Sequence, residues 1–178
     1  MRSGFALLAL GWLAVMVQGG LAHLGPAHWV PDVALLFTVA AAVVLGPGTG
    51  LVVAVALGLG ADMVSGTLLG QLACLRLVEF GLTRVVAAQL DLRRGLPLAI
   101  FAFAMVALDA AGQAGLARLF LGSFPVQPEE LLTLAVHAAV TAPFAPFVGS
   151  LARRLCDRLE EGDARRELRL DPRRAVMR

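Results

Sequence analysis

The stretch Gly58-Leu59-Gly60-Ala61-Asp62-Met63-Val64-Ser65-Gly66-Thr67-Leu68-Leu69-Gly70 decides how this chain is read. It closes a glycine-spaced apolar run on an aspartate, a serine and two glycines, the residue types that cap and turn helices. Pro31-Asp32 opens the apolar run before it. Most of the remaining sequence is hydrocarbon, so these few polar and turn-forming positions mark where helices stop and start.

Of 178 residues, 58% are hydrophobic and only 16% charged, with a mean hydropathy of +0.80. A soluble domain of this size cannot hide so much apolar surface in one core. The expected fold is all-α, a polytopic membrane helical bundle. A membrane helix needs roughly 20 apolar residues, and six stretches qualify as spans: about 4–22, 30–46, 49–62, 67–90, 95–120 and 129–152. Gly46-Pro47-Gly48-Thr49-Gly50 separates the second from the third, because proline ends a helix and glycine permits a tight turn. Asp62 and Ser65 are placed to cap the fourth span while Gly66 makes the bend, with Gly70 beyond it. Arg2 followed by Phe5 to Leu21 has the outline of a signal peptide. Because further spans follow, it is read as an uncleaved first helix.

Every basic residue is an arginine, and their placement predicts orientation, since cytoplasmic loops collect Lys and Arg. Arg2, Arg93-Arg94 and nine arginines from Arg153 to Arg178 fall on one side if the spans number six. The three opposite connections, about 23–29, 63–66 and 121–128, hold no arginine. Both termini are therefore expected in the cytoplasm, with Trp29 and Phe124 as outer interfacial anchors. Residues 1–152 read as the transmembrane bundle and 153–178 as an arginine-rich cytoplasmic tail. In that tail nine arginines against six acids give +3, which leaves −1 on the bundle. Leu151, Leu155 and Leu159 at four-residue steps extend the last helix past the bilayer as an amphipathic segment, either resting on anionic lipid or docking a cytoplasmic partner. Cys74 and Cys156 read as free thiols.

Inside the spans, Arg76, Glu79 and Thr83 share one helix face at three- and four-residue steps. Counting rise per residue puts Glu79 and Asp109 both roughly 16–18 Å from the outer ends of their spans, and His137 about 12 Å, level with Arg76. Charges at that depth face the bundle interior and pair. Arg76, Glu79, Asp109 and His137 thus form a buried polar cluster, read either as a structural set that fixes helix register or as a pocket, proton path or catalytic dyad. Arg84 and Arg118 are close enough to the membrane surfaces to snorkel. No Gly-rich phosphate loop, metal-ligand spacing or nucleic-acid-binding surface is evident, and no cofactor is expected.

Pro31-Asp32, the glycines Gly46, Gly50, Gly58 and Gly60, and the run Asp62-x-x-Ser65-Gly66-x-x-Leu69-Gly70 together resemble MreD, the rod shape-determining membrane protein family of bacteria. The motif match covers about residues 31–70, and size and topology extend it to roughly 150. The resemblance implies a non-enzymatic subunit of the cell-elongation machinery in the bacterial inner membrane. Its implied partners are an MreC-like protein and the pair of a SEDS glycosyltransferase and a class B penicillin-binding protein, besides membrane lipid. It also implies a bundle similar to the substrate-binding subunits of energy-coupling-factor vitamin transporters. Two features depart from the family pattern: the Arg76, Glu79 and Asp109 set, and the length of the arginine-rich tail. A vitamin-binding transporter subunit, with a pocket lined by Arg76, Glu79, Asp109 and His137, is the second reading. An intramembrane hydrolase using Asp62 with Asp109, or Ser65 with His137, is the third.

Overall fold

In the computed structural model, the described residues are 2–66, 69–92, 95–122 and 128–170. The Thr67-Leu68 step, the Arg93-Arg94 loop, Phe124 and the tail from Asp171 onward lie outside them. Among the described residues there is no strand. The helices are α1 (Arg2–Ala22), α2 (Val33–Val44), α3 (Pro47–Ser65), α4 (Gln71–Ala87), α5 (Gly95–Leu121), α6 (Pro128–Thr141) and α7 (Ala145–Leu170), with single 3₁₀ turns at Ala27–Trp29 and Ala142–Phe144.

Four segments are long and apolar enough to cross a membrane: α1, α3, α5 over Gly95–Leu116, and the kinked run Leu131–Gly162 from α6 into α7. The stretch expected as a single span over 129–152 is therefore two helices joined by a 3₁₀ turn. The physical cause is Pro143 with Pro146: a proline removes an amide donor and its ring displaces the preceding carbonyl. Past the kink α7 runs unbroken to Leu170, and its buried stripe is Ala145, Val148, Ala152 and Cys156, with Leu151, Leu155 and Leu159 half-buried beside it.

α2 is the axis of the bundle. Every residue from Ala34 to Ala42 is buried, as expected of a helix that is apolar all round, and α1, α3, α4 and α7 pack against it. It is shorter than the 30–46 stretch suggests. Its 12 residues rise about 18 Å, well under the ~30 Å of a bilayer core. The N-terminus is set by Asp32, whose Oδ1 accepts from the Leu35 amide at 2.9 Å, and the C-terminus by the extended backbone of Leu45 before Pro47.

α3 and α4 form the most extensive helix pair. Gly58 makes their contact possible, because a Cβ there would overlap the backbone of Ala73. α3 ends on Gly66 in the left-handed region, φ +66°, with its amide donating to the Asp62 carbonyl. Gly70, φ +94°, precedes α4.

The bundle is arranged inside out. Arg76 and Glu79 are each 1% exposed, while Val52 is 65% and Val85 61% exposed. On α4 itself, Leu77, Val78, Leu82 and Val85 face outward while Arg76, Glu79 and Thr83 face in. Such a surface suits hydrocarbon and not water. With the four apolar segments, it marks the chain as a membrane protein.

Candidate functional site

The buried charges meet where α1 and α3 finish and α2 and α4 begin. Arg76 sits five residues into α4, about 7–8 Å of rise, and Glu79 about 12 Å. These rises are counted from Gln71, where α4 begins, and not from residue 67. Arg76 binds three carboxylates. Its Nη1 donates to Glu79 Oε2, three residues on along the same helix. Its Nη2 donates to Asp32 Oδ2 at 2.8 Å and lies 3.5 Å from Asp109 Oδ1. Gln113, one turn beyond Asp109 on α5, donates from Nε2 to Asp109 Oδ2 at 2.7 Å.

Asp32 belongs to this cluster, and sequence reasoning placed it only at a helix start. It does both: one oxygen caps α2, the other takes the guanidinium. Its own amide donates to the Thr141 hydroxyl at 3.2 Å, and the next amide, of Val33, donates to Gln18 Oε1 at 3.0 Å. α1, α2, α4, α5 and α6 are thereby tied together around one residue pair. The only advance signal was that Asp32 opens a run otherwise without charge.

A cavity of about 460 Å³ lies against the cluster, and Gln18, Asp32, Ser65, Arg76, Gln113 and His137 contribute to its wall. His137 is half-buried, and its Nδ1 is enclosed without a hydrogen-bond partner. Arg76 Nε, Glu79 Oε1 and Asp109 Oδ1 are likewise buried without one.

Asp62 serves a second, separate arrangement. Its carboxylate accepts from the amides of Gly70 at 2.8 Å, Leu72 at 2.9 Å and Ala73 at 3.4 Å. It thus satisfies the free N–H groups at the start of α4 from the end of α3 and sets a negative charge against that helix's positive end. The Ser65 hydroxyl donates back to the Asp62 carbonyl at 3.4 Å. Pro31, just before the cap residue Asp32, holds the chain out of helix ahead of α2. The structure assigns Asp62 to the α4 cap and Asp109 to the Arg76 cluster, and so does not join them as a carboxylate pair.

Arg84 does more than reach for the surface. Its Nη1 donates to the carbonyls of Ala42 and Leu45, both at 3.1 Å, and so caps the C-terminus of α2 with positive charge. Acceptor carbonyls carry no side-chain signature, which is why this contact was invisible in the sequence. Trp12 similarly donates from Nε1 to the Ala56 carbonyl at 3.2 Å, tying α1 to α3. Cys74 is exposed and Cys156 buried, both as free thiols. Among the described residues, no group of three or more His, Cys, Asp or Glu is placed to hold a metal ion.

No family model, curated protein or solved structure matches the chain.

Proposed function

We propose that this chain is a non-enzymatic scaffold subunit of the bacterial cell-elongation machinery, of the MreD kind. In this reading it crosses the inner membrane six times, with α6 and α7 as one kinked crossing and both termini in the cytoplasm. It holds the transmembrane helix of an MreC-like partner and, through it, the SEDS glycosyltransferase and class B penicillin-binding protein.

The observation that carries the reading is the use made of the motif residues. Asp62, Gly66 and Gly70 build the α3–α4 turn, and Asp32 caps α2 and neutralises Arg76. The polar groups by which the chain resembles the family are engaged in holding helices together, which suits a protein whose output is a shaped surface. Exposed apolar faces on α1 and α3 and close glycine packing between α3 and α4 supply such a surface.

The cavity beside Arg76 favours a second reading, a substrate-binding subunit of a vitamin transporter, because convergent polar groups in a cavity are how small molecules are oriented. Co-purification in mild detergent from the native membrane, followed by mass spectrometry, separates the two. Recovery of cell-wall synthesis proteins supports the scaffold. Recovery of an ATPase module supports transport and overturns it.

A further inference from the structure

The Arg76 cluster is unbalanced. One guanidinium faces the carboxylates of Asp32, Glu79 and Asp109, so full ionisation would leave a net charge of −2 on side chains that are almost entirely enclosed. Asp32 has further compensation, from the Leu35 amide and the positive end of α2. Asp109 Oδ2 has the Gln113 amide. Two enclosed oxygens accept no hydrogen bond: Glu79 Oε1, on a residue 1% exposed, and Asp109 Oδ1, on a residue 6% exposed, which has only the longer 3.5 Å approach of Arg76 Nη2. The two side chains meet at one guanidinium, Glu79 on Arg76 Nη1 and Asp109 Oδ1 at 3.5 Å from Nη2.

Two carboxylates in one enclosed site do not both ionise, and a proton on one satisfies both by donating to the other. We propose that Glu79 and Asp109 together form a proton-binding site, holding one proton between them at neutral pH and joining α4 to α5 through it. The step is simple protonation: the pair gains H⁺ and one negative charge disappears, leaving Arg76 matched by Asp32 and by the one remaining carboxylate. Loss of the proton returns the cluster to −2 and sets Glu79 against Asp109 across the α4–α5 contact.

The cavity reaches the pair's partners, since Arg76, Asp32 and Gln113 are on its wall, while Glu79 and Asp109 lie behind them. His137 Nδ1 is enclosed on the same cavity without a hydrogen-bond partner. The charged groups shown against the pair are Arg76 on α4 and Asp32 from α2, with the uncharged Gln113 on α5; His137 from α6 and Gln18 from α1 lie on the wall of the adjoining cavity. On α3, Asp62 is bound to the amides that open α4. The proposal is independent of the scaffold reading.

The test is infrared difference spectroscopy of the full chain in lipid nanodiscs, stepped from neutral to alkaline pH in sodium-free buffer and again with sodium added. The expected result is a protonated-carboxyl C=O band at neutral pH that shifts in D₂O, fades on alkalinisation and is the same with and without sodium. Glu79→Gln and Asp109→Asn should each abolish it, since either amide removes the competing charge and leaves the other carboxylate paired with Arg76. The wild-type titration requires no variant to fold. Absence of a titrating band in the wild type, its survival in both variants, or its loss on adding sodium, which would make the ligand a metal cation, overturns the proposal.

Discussion

Single residues in the α3–α4 turn have separable jobs. Gly66 and Gly81 both have open space where a Cβ would go, but Gly66 has φ +66° and Gly81 lies in the interior of α4. Alanine at these two positions therefore isolates backbone conformation from packing. Gly66→Ala should lower stability by about 1–2 kcal/mol, the left-handed penalty of an L-residue. Gly81→Ala should raise it by roughly 0.5–1 kcal/mol, because glycine in a helix loses more chain entropy. Unfolding in mixed micelles reads both, and equal shifts would contradict the turn assignment. Asp62 acts through its charge and through its two oxygens. Removing it strands three amides, two of them buried, so Asp62→Ala should cost about 1.5–3 kcal/mol by the same measurement, with Asp62→Asn in between, since one amide oxygen still accepts.

At the scale of elements, α2 is a short helix clamped by α4. Arg76 reaches it through Asp32 at one end, and Arg84 holds its last carbonyls at the other. Arg76→Leu leaves three carboxylates without their cation and should destabilise by about 3–5 kcal/mol, moderated by proton uptake. Combining Arg76→Leu, Glu79→Leu and Asp109→Leu should recover much of that loss, because Asp32 still has its cap. A triple variant no more stable than Arg76→Leu alone would show that the cluster is not a charge-compensated unit. Much of this element was legible beforehand. The three- and four-residue steps put Arg76, Glu79 and Thr83 on one face, and rise per residue brought Asp109 near Glu79. What the sequence hid was long-range. Asp32 already had a local use as a cap, and nothing local ties it to a residue 44 positions away. The helix itself starts four residues later than the apolar stretch, at Gln71. The kink at Pro143 was readable from proline alone, yet the unbroken apolar run around it outweighed the signal.

Over the described helices the α2–α4 charges face inward and apolar side chains face outward, an arrangement suited to a bilayer, and the apolar character was plain in composition before any helix was placed. Crossing number is a separate matter, since α2 and α4 are too short or too charged to register as spans by length and hydropathy. Reporter fusions address it: fusions at Arg2 and Arg178 should read cytoplasmic and one at Gln127 external, and a cytoplasmic signal at Gln127 would contradict six crossings. The proposed role as a scaffold for cell elongation is tested by cell shape after depletion of the chain from the cells that make it. Rods should then widen and round as lateral wall synthesis fails, and wild-type protein supplied from a plasmid should restore them. Depleted cells that keep their rod shape and their rate of wall incorporation would contradict that role.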